Sequence, residues 1–291
     1  MPLAPGMALL SLVWGTQFLA IKMGQLHTPP LLTVAMRYGV LAVVAQLACW
    51  LWARGATSEN LRAQRLAFGV AQAVSMMLLY EAQGRVGVAV AGVLSATTPF
   101  LVALLAHAAV PGEKLTRRTL GATVLGLAGV ALMWSGRAPS ESLASGASLG
   151  VGLLLGSSVL DAVNKVLAKR LATASVPVPV MLRDMALAVT PTALLASAMF
   201  ERDGWVATDA GGWATAAYLG VVGSALASGL YLQLLKRHSI NALAYLQFLT
   251  ACVATGTGLL LGESLGLATA LGVVLILLGL GVRGRQQALQ G

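Results

Sequence analysis

The sequence predicts an all-α integral membrane protein of ten transmembrane helices, arranged as two inverted five-helix repeats. Three observations predict it. The 291-residue chain is 57% hydrophobic and 10% charged, with a mean hydropathy of +0.81. Soluble domains carry about 25% charged residues, and a chain of this size folded in water could not cover its apolar atoms with so few. A soluble enzyme is disfavoured, and a disordered or fibrous chain more so. Next, ten apolar stretches of about 20 residues, each long enough to cross a ~30 Å hydrocarbon layer, take up nearly the whole chain. Finally, the two halves repeat each other.

The spans follow from their punctuation. The first, 7–26, stops before Thr28-Pro29-Pro30, and proline starts the second, 30–52. The third covers 66–84. The fourth covers 87–110 and is closed by Pro111-Gly112. Pro99 lies inside it and removes one backbone hydrogen bond, which predicts a kink that is either a hinge or a static bend. The fifth span, 119–135, ends at Gly136-Arg137-Ala138-Pro139. The polar stretch 138–147 is the most linker-like in the chain and separates a first repeat, 1–137, from a second, 148–291. The sixth span is 148–167. Val176-Pro177-Val178-Pro179 opens the seventh, 177–200, and the remaining three are 213–235, 241–261 and 266–282.

Charge sets the orientation. With the N-terminus inside, the inner connections hold Arg54, Arg62, Arg65, Lys114, Arg117, Arg118, Lys169, Arg170, Lys236, Arg237, Arg283 and Arg285. The outer side holds Lys22, Arg85, Arg137 and Arg202. Twelve against four obeys the positive-inside rule and places both termini in the cytoplasm. The net charge of +9 thus reads as topology, not as a nucleic-acid surface. Cys49 and Cys252 both lie in apolar runs and predict buried thiols without a disulfide. The first basic residue is Lys22, so the positive region of a signal peptide is missing.

The internal repeat is clearest where 112–129 is set against 262–279. Eight identities fall in eighteen gapless positions, among them Gly112/Gly262, Glu113/Glu263, Leu115/Leu265 and Thr119/Thr269. A shift of 151 pairs Leu79-Tyr80 with Leu230-Tyr231, and a shift of 146 pairs Arg37 with Arg183. Five spans per repeat is an odd number, so the second repeat enters the membrane from the opposite side. Inverted repeats of this kind are a common construction of secondary transporters.

Several motifs then stand in order along the chain. Trp14-Gly15-Thr16-Gln17-Phe18-Leu19-Ala20-Ile21-Lys22, Met36-Arg37-Tyr38, Thr98-Pro99-Phe100, Gly112-Glu113-Lys114-Leu115 and Gly262-Glu263-Ser264-Leu265 resemble those of EamA-type transporters. These form the ten-helix branch of the drug/metabolite transporter superfamily. The resemblance covers nearly the whole chain. It implies a carrier in a bacterial inner membrane that exports amino acids or other small metabolites without ATP. It also implies a central cavity bordered chiefly by spans 1, 3, 4, 6, 8 and 9, with spans 5 and 10 peripheral. The second half departs from the pattern, because Leu249 stands where the fourth span has Pro99. A kink common to both halves is not expected on that ground.

Ionisable residues at membrane depth cost at least about 2.5–3.5 kcal/mol each, so they face a bundle interior or a wet cavity. Arg37, Asp161, Lys165, Arg183 and Asp184 qualify. Asp161, nearest the midplane, is the candidate for binding an amine or a coupling proton. Lys165 at i+4 could equally neutralise it. Arg37 and Arg183 are candidate gates or carboxylate attractors, or else structural ties to helix-end carbonyls. Glu113 and Glu263 read as helix-terminal carboxylates that fix loops. The polar candidates for solute contact are Gln17, Gln72, Thr98, Asn164, Ser228 and Gln247, with Trp14, Tyr80, Tyr231 and Tyr245 able to stack or to grip a cation. Trp50, Trp52, Trp134, Trp205 and Trp213 fit interfacial belts.

No phosphate loop, metal set or nucleophile–base motif stands out, so neither cofactor nor enzymatic activity is expected. The partners expected are the lipid bilayer, a small organic solute and, where transport is coupled, a proton. A multidrug or organic-cation exporter, with Asp161 as counter-ion, is the alternative transport reading. A membrane-embedded enzyme is a third.

Overall fold

A computed structural model describes residues 3–53, 61–113, 116–135, 147–262 and parts of 267–278. No strand occurs among the described residues. The helices are α1 (Leu3–Gly24), α2 (Pro30–Trp52), α3 (Arg62–Gln83), α4 (Val88–Ser95), α5 (Thr98–Ala109), α6 (Arg117–Ser135), α7 (Ala147–Thr173), α8 (Val178–Phe200), α9 (Ala210–Tyr218), α10 (Ala227–Arg237), α11 (Ile240–Ala244) and α12 (Leu246–Leu260). A π-helical stretch, Leu219–Leu226, joins α9 to α10. Seven helical segments are long and apolar enough to cross a bilayer: α1, α2, α4 with α5, 148–173 within α7, α8, α9 through α10, and α11 with α12. The chain is therefore a multi-pass membrane protein. Three expected spans fall outside the seven: the tenth, 266–282, lies partly outside the described residues, and the other two are missing for a visible reason. α3 carries Arg62, Arg65, Gln72, Glu81 and Gln83, and α6 starts on Arg117-Arg118.

Contacts at the helix ends give each helix its direction. At one end His27 meets Asp209, Glu201 accepts the Leu31 and Leu32 N–H groups, and Gly150 abuts Val86. At the other end Arg65 meets Asp184 at 2.5 Å, and Glu113 meets Ile240. α1 starts at the second end and α7 at the first. Trp50, Trp52 and Trp213 are exposed near helix ends, as an interfacial belt requires. Trp205 instead donates to Ser197 Oγ. Trp134 carries no description of its side chain.

Burial reveals the repeat register better than sequence identity does. In α1 and α7 the buried positions pair 147 residues apart: Ser11 with Ser158, Gln17 with Asn164, Phe18 with Lys165. In α2 and α8 the offset is 148, pairing Leu41 with Val189 and Ala45 with Ala193. This corrects the expected pairing of Arg37 with Arg183: Met185 occupies the position equivalent to Arg37. In the third and eighth spans the offset is 151 at Gly69/Gly220 and 152 from Ser75/Ala227 onward. The change falls within the π stretch, which holds one extra residue, as π-bulges do.

Two lysines obey the same register. Lys22 Nζ donates to the carbonyls of Gln83 (2.8 Å) and Val86 (3.4 Å), and Lys169 Nζ donates to those of Leu235 (2.9 Å) and His238 (2.8 Å). Each cation thus holds the carbonyl end of the third helix in its own half, where the helix dipole favours positive charge.

The kink is found in both halves. α4 ends at Ser95 and α5 starts at Thr98, so Pro99 sits in the first turn of a new helix, where its missing N–H costs nothing. α11 and α12 break at Tyr245 without a proline. Close packing holds these segments together. A Cβ added at Gly92 would lie 2.5 Å from Ala254 Cβ. Gly92→Ala is expected to cost about 1–3 kcal/mol by overpacking. Adding Ala254→Gly should recover most of that loss in a thermal melt in detergent.

Glu113 reaches across to the other half. Its Oε1 accepts Ile240 N–H (2.8 Å) and its Oε2 accepts Asn241 Nδ2 (3.0 Å), so it caps α11 in the other half. Glu263 lies outside the described residues. Glu113→Ala should lower stability by about 1–2 kcal/mol through the lost cap. Glu113→Gln, which keeps one acceptor oxygen, should lose less in the same melt.

Candidate functional site

A cavity of about 120 Å3 lies among the spans. α1, α3, α5, α7, α10 and α12 contribute side chains, as expected for the spans they belong to. α2 and α8 add Arg37, Tyr38 and Met185, which the expectation left out. The lining follows the repeat: Trp14 opposes Asp161, Gln17 opposes Asn164, Phe18 opposes Lys165 and Thr98 opposes Thr250 as equivalent positions. One half supplies aromatic rings where the other supplies an ion pair.

Arg37 is 3% exposed. Its Nε donates to Ser224 Oγ (2.8 Å), Nη1 to Tyr80 OH (2.9 Å) and Nη2 to Gln17 Oε1 (3.2 Å). Its guanidinium also lies 5.4 Å from the Tyr38 ring centroid, within cation–π range. Burying a cation costs several kcal/mol, so these contacts are what keep it in the bundle. The π stretch makes them possible. It holds both Ser224, which accepts Arg37 Nε, and Gly223, whose carbonyl accepts Trp14 Nε1 at 3.2 Å. Gly223 must be small, since a Cβ there would meet Gln17 Oε1 at 2.6 Å.

Asp161 Oδ2 pairs with Lys165 Nζ and also accepts Gln247 Nε2 at 3.3 Å. Lys165 is buried and turned to the cavity, not toward Lys169. Gln72 Nε2 donates to Tyr38 OH (2.8 Å), and Asn164 Nδ2 donates to the Phe68 carbonyl (2.8 Å). Trp14 and Tyr231 rings touch, with centroids 5.4 Å apart.

Of the residues expected to contact a solute, Trp14, Gln17, Gln72, Thr98, Asp161, Asn164, Ser228, Tyr231 and Gln247 line this cavity. Tyr80 stands behind Arg37. Tyr245 packs on Phe248 in a separate apolar cluster with Val93 and Ala251. Arg183 points away, bonding Asp184 at 3.2 Å. Pro99 is buried beside the cavity and does not line it. The residues that sequence reasoning missed are mostly small or apolar, Ser157, Phe68 and Met185 among them. Their signal was the repeat register of burial, which needs the structure.

A cavity holding buried charges, set among membrane-spanning helices, places the chain among multi-pass membrane proteins with a polar internal site. The EamA-like transporter family matches over residues 4–135 and again over 148–282, and the chain belongs to that family. Its members are transporters, not enzymes. A solved structure described only as the crystal structure of a protein is similar in fold, with a TM-score of 0.74 and 23% identity over 96% of this chain and 95% of that one. Among curated proteins none matches.

Proposed function

We propose that the protein is a secondary transporter that moves small organic metabolites, most of all amino acids or related carboxylates, outward across a bacterial inner membrane. The carrying observation is the cavity charge. Arg37 and Lys165 face one acid, Asp161, so the site has a positive excess and suits an anionic or zwitterionic solute better than a lipophilic cation.

Transport proceeds by alternating access in this reading. Ten helices form two inverted quintets, 1–137 and 148–291, joined by 138–147, with both termini in the cytoplasm. Support comes from the helix directions, the repeated burial and the two lysine clamps at opposite ends. Two nearly equivalent packings can then exchange around one central site. The chain itself performs no catalysis and needs no cofactor. A proton gradient, or the solute gradient, supplies the energy.

The test is counterflow in proteoliposomes containing the purified protein, with each of the twenty proteinogenic L-amino acids, with and without a pH gradient. Saturable flux of at least one, unaffected by lipophilic cations, is the expected result. Flux of lipophilic cations alone would replace this reading with the organic-cation exporter.

A further inference from the structure

Several hydroxyls in the membrane-spanning helices are satisfied by their own helix. Thr16 bonds the Leu12 carbonyl, Ser95 that of Ala91, Thr97 that of Leu94, and Thr257 that of Ala254. Thr98 and Thr250 break this pattern. They are 1% and 3% exposed, their Oγ1 atoms have no hydrogen-bond partner, and both residues line the cavity. Thr190 and Thr255 are also orphaned, but neither lines it.

The two positions are repeat-equivalent. Val88 pairs with Ile240, Val102 with Ala254 and Ala106 with Gly258 at the same offset of 152 that pairs Thr98 with Thr250. Each lies in the second segment of a broken span, Thr98 at the start of α5 and Thr250 in the second turn of α12. A third orphan, the Tyr231 hydroxyl, lies in the same cavity. A buried hydroxyl without a partner costs about 1–3 kcal/mol; Thr28 and Thr208 carry that cost too, but of the orphaned threonines only Thr98 and Thr250 line the cavity.

We propose that Thr98 and Thr250 are a matched pair of specificity-determining contacts, whose hydroxyls have no protein partner and hydrogen-bond to the solute when it is seated. The proposal rests on the transport reading above. The solute group they take is a hydrogen-bond acceptor, since Arg37 and Lys165 already make this a donor-rich site. Because the pair is exchanged by the repeat, the solute meets the same two hydroxyls whichever side the cavity faces.

Valine has the shape of threonine without the hydroxyl, so the two roles give opposite signs. Thr98→Val and Thr250→Val should each raise the melting temperature of the empty protein, by roughly 2 °C, because an unsatisfied polar atom is removed. Each should also weaken solute binding about three- to tenfold, the worth of one hydrogen bond, and the double variant by the product. The probes are the twenty L-amino acids, read as thermal shift and as counterflow in proteoliposomes. Serine at either position should restore binding. A lower melting temperature in the valine variants would overturn the proposal, because the hydroxyl would then have a protein partner. So would wild-type affinity in the double variant for an amino acid that the wild type binds. If no amino acid shifts or exchanges on the wild type, the transport reading fails and takes this pair with it.

Discussion

Arg37→Ala is expected to abolish transport and to destabilise the bundle at the same time. The side chain joins α2 to Gln17 of α1, Tyr80 of α3 and Ser224 of the π stretch. Truncation leaves three buried polar groups without their donor. At about 1 kcal/mol each the loss is on the order of 3 kcal/mol, or about 100-fold in any equilibrium that depends on it. Arg37→Lys separates charge from geometry. An ammonium keeps the positive cavity but cannot fork to three acceptors. Its variant should fold better than Arg37→Ala and still transport poorly. Flux in proteoliposomes and a thermal melt measure the two effects. An alanine variant with near wild-type flux would remove Arg37 from the mechanism, and a lysine variant with full flux would reduce its role to charge alone.

How far the sequence could be read follows from what each feature depends on. Seven of the expected spans were legible because they follow from local composition, and the repeat because Gly112 and Gly262 need a positive φ, 84° and 80°, at the same turn. The register was not. The single-letter match of Arg37 to Arg183 pointed to 146, while packing runs at 148 in that pair of helices. A one-residue π insertion leaves no mark in composition, since Leu219–Leu226 reads as ordinary apolar helix. The break at Tyr245 is equally silent because no proline announces it. Glu113 was legible as a helix-capping carboxylate, but not its partner, since Ile240 lies 127 residues away in sequence. The cavity residues divide in the same way. Polar side chains in apolar spans advertised themselves, whereas Tyr245 had the right chemistry on the wrong face.

At the Asp161–Lys165 ion pair, stability and function must be pulled apart. Asp161→Asn removes the carboxylate that Lys165 and Gln247 share and leaves a buried ammonium unpaired. Breaking a buried pair from one side costs about 3–5 kcal/mol, so loss of transport in this variant alone proves little. Removing both charges, in Asp161→Asn with Lys165→Met, costs far less, because no lone charge remains. The double variant is therefore expected to fold. If Asp161 carries the coupling proton, the double variant should exchange solute across proteoliposomes yet lose all response to a pH gradient. Gradient-driven accumulation by a folded double variant would remove the coupling role from Asp161. It would leave the pair as a polar tie between α7 and α12, with proton coupling carried by another group.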